Sequence, residues 1–492
     1  MKKIIKKLCF LVVLILSVIM IQKVMIPKWN DGWNARKIVQ GFYAEPKNSI
    51  DVLCLGSSQF MSGISPMEFY GKYGYSAYSL ATDQQEIVTS YYWLKEACKT
   101  QKIKVLLFET QMLFQKSVDI GYYRKGLDYM KMSTNKLQAI NAVCSMDKRQ
   151  SKASYIFPLM NYHSRWNDLS VEDFSSIYED KTNFTKGFSV QTRIQKCVPY
   201  AGIAETGTDT ESISEEKYQY LDKMMQLCKA KNISVVFVKT PRIGDWTVQK
   251  HNAITTVASK YSSPFIDFNL DTIYKQTSFD VKNDFRDENH LNVTGAEKLS
   301  GYLADYLHEN YHLNDYRNKK ERTDLSEQYK KYQYAKEDAK LAMCQNIAEY
   351  LSKLNTQRYT IAIVSCNEYT KNLDENLKTI LTNMGIEKSH LEQYRASFCS
   401  VIDRGKVVYD ECSTSTQLNC QYSTKNASFD MTSAGYLLGN QASVKVNGKE
   451  WAVNTIGLNI VVYDNDLNEV VDSVAFDTYD TMNAKRTIES IL

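Results

Sequence analysis

Short apolar runs separated by helical segments constrain the fold of this chain more than any other feature. The runs cover residues 52–55, 105–108, 235–238 and 264–268. Between them, segments such as 86–99 and 215–231 repeat apolar residues every three or four positions, as amphipathic helices do. Strands that alternate with helices of this length predict a parallel sheet covered by helices on both faces. In such sheets, ligands bind beyond the carboxyl ends of the strands.

The first apolar run ends in Gly56-Ser57-Ser58, which places a hydroxyl at that edge of the predicted sheet. Far downstream, Asp287 and His290 stand three residues apart, so that on a helical turn or compact loop they share a face. A serine hydroxyl needs a base to become a nucleophile, and the base needs a group that fixes its tautomer. Ser58, His290 and Asp287 can supply these three roles.

Each motif also has a structural interpretation. A pair of serines after a strand is common turn chemistry. Asp287 could cap the helix that follows it, and Asp284 is an alternative partner for His290 because it also precedes the histidine. The catalytic interpretation is favoured because both motifs occur together, at opposite ends of one segment of alternating strands and helices.

The two motifs resemble the first and last blocks of the SGNH (GDSL-like) hydrolase superfamily. The matching residues are Gly56-Ser57-Ser58 and Asp287-x-x-His290-Leu291-Asn292. The resemblance implies an α/β fold with Ser58 as nucleophile, His290 as base and Asp287 as its orienting partner. It also implies chemistry that needs no cofactor and no metal.

Two further segments bear on the oxyanion site of this family. Residues 78–82 fall where the family carries its oxyanion glycine, and Ala81 stands there instead; its N–H and that of Ser58 are the expected donors. The family's third-block asparagine is not recognisable. Residues 108–114 are instead similar to a segment of the membrane-anchored protein of teichoic acid D-alanylation, and they make Gln111 a third candidate donor. That protein and the SGNH proteins of alginate and peptidoglycan O-acetylation form the branch that the chain resembles.

Two other places are candidates for substrate contact. His163, Arg165 and Trp166 could clamp a substrate, with a packed surface loop as the alternative. Arg242 follows the third apolar run and could bind a carboxylate, with an ordinary solvated arginine as the alternative.

The N-terminus predicts a membrane anchor. Lys2, Lys3, Lys6 and Lys7 precede an apolar run over residues 8–21. With its apolar flanks and snorkelling lysines, the run reaches the roughly 20 residues that a bilayer requires. The lysines predict a cytoplasmic N-terminus, so the bulk of the chain would be extracellular on a bacterial cell membrane. A cleaved signal peptide is the rival interpretation, but no small-x-small cleavage site follows.

Length and composition indicate several domains. A chain of 492 residues exceeds one ordinary core. We predict a cytoplasmic stub and anchor at 1–28, a hydrolase-like domain at 29–315, a charged helical linker at 316–340 and a second domain at 341–492. A net charge of +4 without a dense basic patch argues against a nucleic-acid partner. The eleven cysteines include no CxxC pair, so no zinc motif is predicted; Cys412 and Cys420 are the first candidates for a disulfide.

The last part of the chain reads as mainly β. Residues 359–365 alternate like a half-buried strand, and Asn447-Gly448 is a strong hairpin signal. The runs 457–464 and 470–479 resemble the ILEI/PANDER-like domain, which implies a compact sandwich-like fold and a binding role, with carbohydrate as a candidate ligand.

Together these features predict a membrane-tethered serine O-acyltransferase or esterase. It would act on acyl esters of a cell-surface polysaccharide or teichoic acid, with acetyl as the leading candidate for the acyl group. A polytopic membrane-bound O-acyltransferase is the expected partner. The alternative is a non-catalytic glycan-binding scaffold of a polysaccharide-modification complex, which the degenerate second and third blocks favour.

Overall fold

A computed structural model describes residues 2–29, 32–115, 118–195, 207–354, 357–480 and 486–487. The chain divides into two compact units, Met1–Tyr332 and Gln333–Leu492.

The first unit contains most of the helices. They are α1 (Lys2–Met25), α2 (Ala35–Ala44), α3 (Ser58–Gly63), α4 (Pro66–Tyr73), α5 (Ile87–Ala97), α6 (Ile120–Leu127), α7 (Thr134–Met146), α8 (Lys152–Ile156), α9 (Leu159–Tyr162), α10 (Val171–Ser175), α11 (Glu215–Lys231), α12 (Val248–Lys260), α13 (Asp271–Gln276) and α14 (Val293–Asn310). Helix α15 (Thr323–Ala342) crosses the division between the units.

The strands of the first unit form a five-stranded sheet and a short hairpin. They are β1 (Val52–Gly56), β2 (Ala77–Ala81), β3 (Val105–Glu109), β4 (Ser234–Lys239), β5 (Phe265–Asp267), β6 (Phe285–Asp287) and β7 (His290–Leu291). The sheet order is β2-β1-β3-β4-β5, and all of its pairings are parallel. The predicted parallel sheet flanked by helices is therefore confirmed.

Strand β2 was not predicted. Its residues, Ala77 to Ala81, include no β-branched side chain, so local propensity gives little signal for a strand. All five are buried, and they pair in register with β1 from Val52↔Ala77 to Gly56↔Ala81. Tertiary burial between helices decides the conformation here.

The second unit is mainly β, as predicted. Its helices are α16 (Ile347–Lys353) and α17 (Glu375–Asn383). Its strands are β8 (Tyr359–Asn367), β9 (Ser397–Asp403), β10 (Lys406–Ser413), β11 (Leu418–Ser423), β12 (Ser428–Gly435), β13 (Gln441–Val446), β14 (Lys449–Glu450), β15 (Gly457–Asp464), β16 (Glu469–Phe476) and β17 (Arg486–Thr487). The predicted Asn447-Gly448 turn joins β13 to β14, and both of its residues have positive φ.

The centre of the second unit is the antiparallel pair β8–β15, which is covered on both faces. Ile361 and Ile363 of β8 point into one apolar cluster, while Ala362 and Val364 point into another. The same alternation holds along β15. Because both faces are buried, these strands read as nearly continuous apolar runs.

Helix α1 differs from the other helices of the first unit. It is the one helix of the described residues that is long and apolar enough to cross a membrane, which is compatible with an anchor or a signal sequence. Its apolar side chains are exposed along most of its length, and only Val24 and Met25, at its end, are buried.

Candidate active site

The nucleophile candidate stands at the carboxyl edge of the parallel sheet. Strand β1 ends at Gly56, Ser57 caps the next helix, and Ser58 is the first residue of α3. Gly56 is required by close packing, since a Cβ there would lie 2.8 Å from Cβ of Glu109 and 2.6 Å from the Phe60 ring. The strand therefore turns sharply into the helix at this point.

Ser58, His290 and Asp287 form one hydrogen-bonded chain. Ser58 Oγ lies 2.8 Å from His290 Nε2, across 232 positions of sequence. Asp287 Oδ1 lies 2.7 Å from His290 Nδ1 on the other side of the ring. Because an ionised carboxylate only accepts, Nδ1 carries the proton and the Nε2 lone pair faces the Ser58 hydroxyl. This is the arrangement in which an imidazole can take a proton from serine.

A small hairpin sets the spacing of the last two residues. Asp287 ends β6, His290 begins β7, and the two pair directly across the antiparallel bridge. His290 thus lies on a short strand before α14, and not on a helical turn or compact loop as the sequence predicts. Asp284, the alternative partner, is buried and engages Lys298 at 2.6 Å.

The surroundings of Asp287 favour its charged form. Burial acts to raise the pKa of Asp287, but hydrogen bonds from His290 and from the Asn289 N–H, together with nearby Arg286, hold the pKa below its ordinary value. The carboxylate therefore stays ionised at neutral pH and can stabilise a protonated His290.

An aromatic side chain packs against the histidine. The ring centroids of Trp33 and His290 are 5.0 Å apart, at an interplanar angle of 59°. The Arg286 guanidinium lies 4.7 Å from the Trp33 ring. Trp33 thus limits rotation of the imidazole away from Ser58.

A buried carboxylate holds the nucleophile turn. Glu109, at the end of β3, is fully buried. Its Oε2 accepts hydrogen bonds from the Ser57 N–H at 2.8 Å and the Ser57 hydroxyl at 2.6 Å. Its Oε1 accepts from the Gln111 N–H at 3.1 Å. One carboxylate therefore ties together the loops that follow β1 and β3.

A buried lysine lies beneath the same edge. Lys239, at the end of β4, is fully buried and donates to Gln59 Oε1 at 2.7 Å. Burial lowers the pKa of Lys239 to about 8, although Glu109 acts in the opposite direction.

Replacing Lys239 by methionine should flatten the pH dependence of unfolding between pH 8 and 10.5. In this window the unfolded chain, with the ordinary pKa of 10.5, binds more protons than the folded protein, so rising pH favours folding. Wild type should gain about 3 kcal/mol relative to Lys239→Met across the window. Urea unfolding at a series of pH values measures this gain, and parallel pH profiles for the two proteins would contradict it.

A cavity of about 640 Å³ opens beside Ser58 and His290. It is lined by Ser57, Ser58, Gln59, Gln84, Gln111, Phe114, Gln115, Glu211, Arg242, Asp245, Lys250, Asn289 and His290. Amide and charged side chains dominate this lining, and among the described residues Phe114 is its one aromatic apart from the histidine.

The predicted oxyanion donors differ in whether they line the cavity. Ser58 and Gln111 line the cavity, and Gln111 Oε1 is buried without a hydrogen-bond partner among the described residues. Ala81 is fully buried at the end of β2 and does not line the cavity. Gln84, three residues later and with φ 45°, lies on that wall instead.

The predicted substrate-contact residues also differ in whether they line the cavity. His163, Arg165 and Trp166 lie in a 3-10 helix, His163–Asp168, and none of them lines the cavity. Arg165 instead pairs with Asp173 at 3.1 Å. Arg242 does line the cavity, with its charge partly neutralised by Asp245 at 2.8 Å.

Several lining residues were missed because nothing in their local sequence marks them. Glu211 lies in the segment before α11, whereas Asp245 and Lys250 are neighbours at the start of α12. Glu109 did carry a signal, since a charged residue that ends an apolar run is unusual unless it is paired. Among the described residues, no group of three or more His, Cys, Asp or Glu side chains could hold a metal ion.

Comparisons with known proteins show similarity to one family model and to solved structures. Residues 318–406 match the family described as Interleukin-like EMT inducer, which overlaps the predicted ILEI/PANDER-like domain but begins within the charged segment before it. A solved structure from Bacteroides fragilis NCTC 9343, provisionally described as an acylhydrolase, is similar at 13% identity and a TM-score of 0.27. That match covers 57% of this chain and 98% of the other. No curated protein matches. The chain is thus similar to the Interleukin-like EMT inducer family over residues 318–406, within a larger α/β and β architecture.

Proposed function

We propose that this protein is a membrane-tethered, extracytoplasmic serine esterase or O-acyltransferase of the SGNH type. The observation that carries the proposal is the hydrogen-bonded chain Ser58–His290–Asp287, with contacts of 2.8 and 2.7 Å. Its position at the carboxyl edge of a parallel sheet, beside an open cavity, supports the same conclusion.

The reaction follows from the direction of the hydrogen bonds. Ser58 Oγ attacks the ester carbonyl while His290 Nε2 accepts its proton, and Asp287 stabilises the resulting imidazolium. As the tetrahedral intermediate collapses, the C–O bond to the leaving alcohol breaks and His290 returns the proton to that alcohol. The acyl-Ser58 intermediate then passes its acyl group to water or to a sugar hydroxyl, with His290 again acting as base.

The negative charge of the tetrahedral intermediate needs donors close to Ser58. We assign this role to the Ser58 N–H, in the first turn of α3, and to the Gln111 side-chain amide. The loss of one such donor costs about 10²–10³ in rate in other hydrolases. Glu109 contributes indirectly, because it fixes the main chain at both Ser57 and Gln111.

The lining of the cavity supports a carbohydrate substrate with a short acyl group. Gln84, Gln111, Gln115 and Asn289 offer amide donors and acceptors, which match sugar hydroxyls. Phe114 adds one aromatic surface beside them. We therefore propose acetyl esters of a cell-surface polysaccharide or teichoic acid.

The anchor favours transfer over hydrolysis. If α1 spans the membrane, the cavity stays near the bilayer, where a polytopic O-acyltransferase could supply acyl groups from inside the cell. The region similar to the Interleukin-like EMT inducer family would then serve as a binding module, for which a glycan is our candidate ligand.

A serine-directed fluorophosphonate should label the full-length protein and lose this labelling in Ser58→Ala. The matched control is Ser57→Ala, because the Ser57 hydroxyl donates to Glu109 and not to His290. Ser57→Ala should keep the label on residue 58, although at a lower rate. Labelling is read by gel fluorescence and by mass spectrometry of the modified peptide.

Absence of labelling in the folded wild-type protein would contradict an enzyme and favour the glycan-binding scaffold. Labelling that Ser57→Ala removes and Ser58→Ala retains would contradict the assignment of the nucleophile. Release of acetate from p-nitrophenyl acetate, measured with and without an oligosaccharide acceptor, separates the esterase from the transferase.

A further inference from the structure

The residues around the end of α1 form an exposed apolar surface. We use the word collar for residues 156–178, which include α9, the 3-10 helix His163–Asp168 and α10. Outside α1, nine large hydrophobic side chains in the described part of the chain are more than half exposed, and six of them lie in the collar. They are Phe157, Met160, Trp166, Val171, Phe174 and Tyr178.

The collar packs directly on the end of α1. Met25, fully buried, and Ile26 form an apolar cluster with the buried ring of Tyr162. Leu159 and Leu169 of the collar pack against this cluster. Exposure along the anchor therefore changes abruptly where the collar begins: side chains before Val24 are largely open, and those after it are covered.

Charged side chains also hold the collar against the end of α1, and we call this contact between α1 and the collar the joint. The Lys28 ammonium donates to carbonyl oxygens at the end of α1, those of Lys23, Val24 and Ile26, at 2.8 to 3.1 Å. Arg165 donates to the Met25 carbonyl at 2.6 Å. Asp173 lies 3.1 Å from Arg165 and 3.6 Å from Lys28, so one buried carboxylate balances both cations. These bonds satisfy carbonyls that a helix end leaves unpaired.

Protonation at the joint agrees with this arrangement. Burial lowers the pKa of Lys28 to about 8, with Asp173 acting in the opposite direction. Burial acts to raise the pKa of Asp173, but hydrogen bonds from the Ser170 N–H and Arg165 bring it below its ordinary value. At neutral pH the joint therefore carries its full set of charges.

We infer that the collar is a second lipid-binding surface, which lies in the headgroup region of the bilayer that α1 crosses. The inference rests on the proposed anchoring of α1. Lipid is the occupant that the structure favours, because the exposed apolar side chains are continuous with a helix that has membrane-spanning length and apolarity. Trp and Tyr are also the side chains that membrane interfaces enrich.

The joint gives this surface a fixed relation to the membrane. A flexible tether would let the first unit move freely above the bilayer, whereas the Lys28–Asp173–Arg165 contacts hold the collar against the end of α1. The anchor then places Trp166 and its neighbours at the depth where an aromatic ring meets both acyl chains and headgroups.

Quenching of Trp166 by brominated lipid tests the inference. Full-length protein is reconstituted into nanodiscs of phosphatidylcholine and phosphatidylglycerol, with or without bromine near the headgroup end of the acyl chains. The chain has six tryptophans, and the difference between wild type and Trp166→Phe isolates the emission of Trp166. Trp93→Phe is the matched control, because Trp93 is buried in the core and cannot contact lipid.

We expect the Trp166 emission to be strongly quenched in brominated nanodiscs and the Trp93 emission to be unchanged. Alkaline carbonate extraction of vesicles tests anchoring separately. Protein that resists extraction but shows no quenching of Trp166 would overturn the collar inference alone and leave a protein partner as the occupant of this surface. Protein that is extracted would overturn the anchoring as well.

Discussion

A glutamine in place of His290 should leave almost no turnover of p-nitrophenyl acetate, with kcat lowered by about 10⁴- to 10⁶-fold. Glutamine cannot take up a proton, so the Ser58 hydroxyl, now 2.8 Å from the imidazole Nε2, would have no base. The fold should survive, since His290 is partly exposed in the short hairpin and glutamine is of similar size. Steady-state kinetics measures the change, and substrate binding should change little.

The chain offers a matched control for this variant. His251 also places Nδ1 2.8 Å from a carboxylate, that of Asp267, but it does not line the cavity. His251→Gln should therefore keep nearly the wild-type rate. Equal losses in the two variants would indicate general damage and not the loss of a base, and substantial turnover by His290→Gln would contradict the mechanism.

Replacing Glu109 by alanine should produce the largest loss of stability among the site variants, about 3–5 kcal/mol in the free energy of unfolding. The carboxylate is fully buried and accepts three hydrogen bonds, from the Ser57 N–H, the Ser57 hydroxyl and the Gln111 N–H. Without it, the buried Ser57 N–H and the partly buried Gln111 N–H lose their partners, and an unsatisfied buried group costs about 1–3 kcal/mol.

The Glu109→Gln variant removes the charge of the carboxylate and keeps the size of the side chain. Its single amide oxygen could accept from Ser57, but its NH₂ group would then face the Gln111 N–H, donor against donor. We expect a smaller loss, about 1–3 kcal/mol, together with slower labelling of Ser58. Urea unfolding and labelling rates measure both effects. Unchanged stability in the alanine variant would show that the turn does not depend on this carboxylate.

The sequence predicted the parts of the fold that carry a strong local pattern. Strands β1, β3 and β4 are apolar runs rich in Val, Leu and Phe, so burial on both faces is visible in their composition. Strand β2 has no such pattern, because Ala, Ser and Tyr are compatible with several conformations. Its position next to β1 is a property of tertiary packing.

The candidate site likewise combines residues that the sequence predicted with residues that it did not. Ser58, Asp287 and His290 sit in short motifs whose chemistry is readable, and the structure brings them into contact. Gln84 reaches the cavity only because its loop converges there with the distant segment that carries Asp245 and Lys250. The packing of Trp33 on His290 was equally hidden, since nothing near residue 33 marks it as a neighbour of residue 290.

The contact between Trp33 and His290 limits how far the chemistry can be from the lipid. Ile26 is buried at the joint with α1, and the seven residues from there to Trp33 can extend over no more than about 25 Å. With α1 in a bilayer, the reactive serine would work within a few nanometres of the phospholipid surface. If the proposed glycan is the substrate, it would then be modified while it is still emerging or still lipid-linked, and not on polymer strands of the outer wall. Pulse-labelled acyl groups that appear first on distal wall polymer would be incompatible with so short a reach.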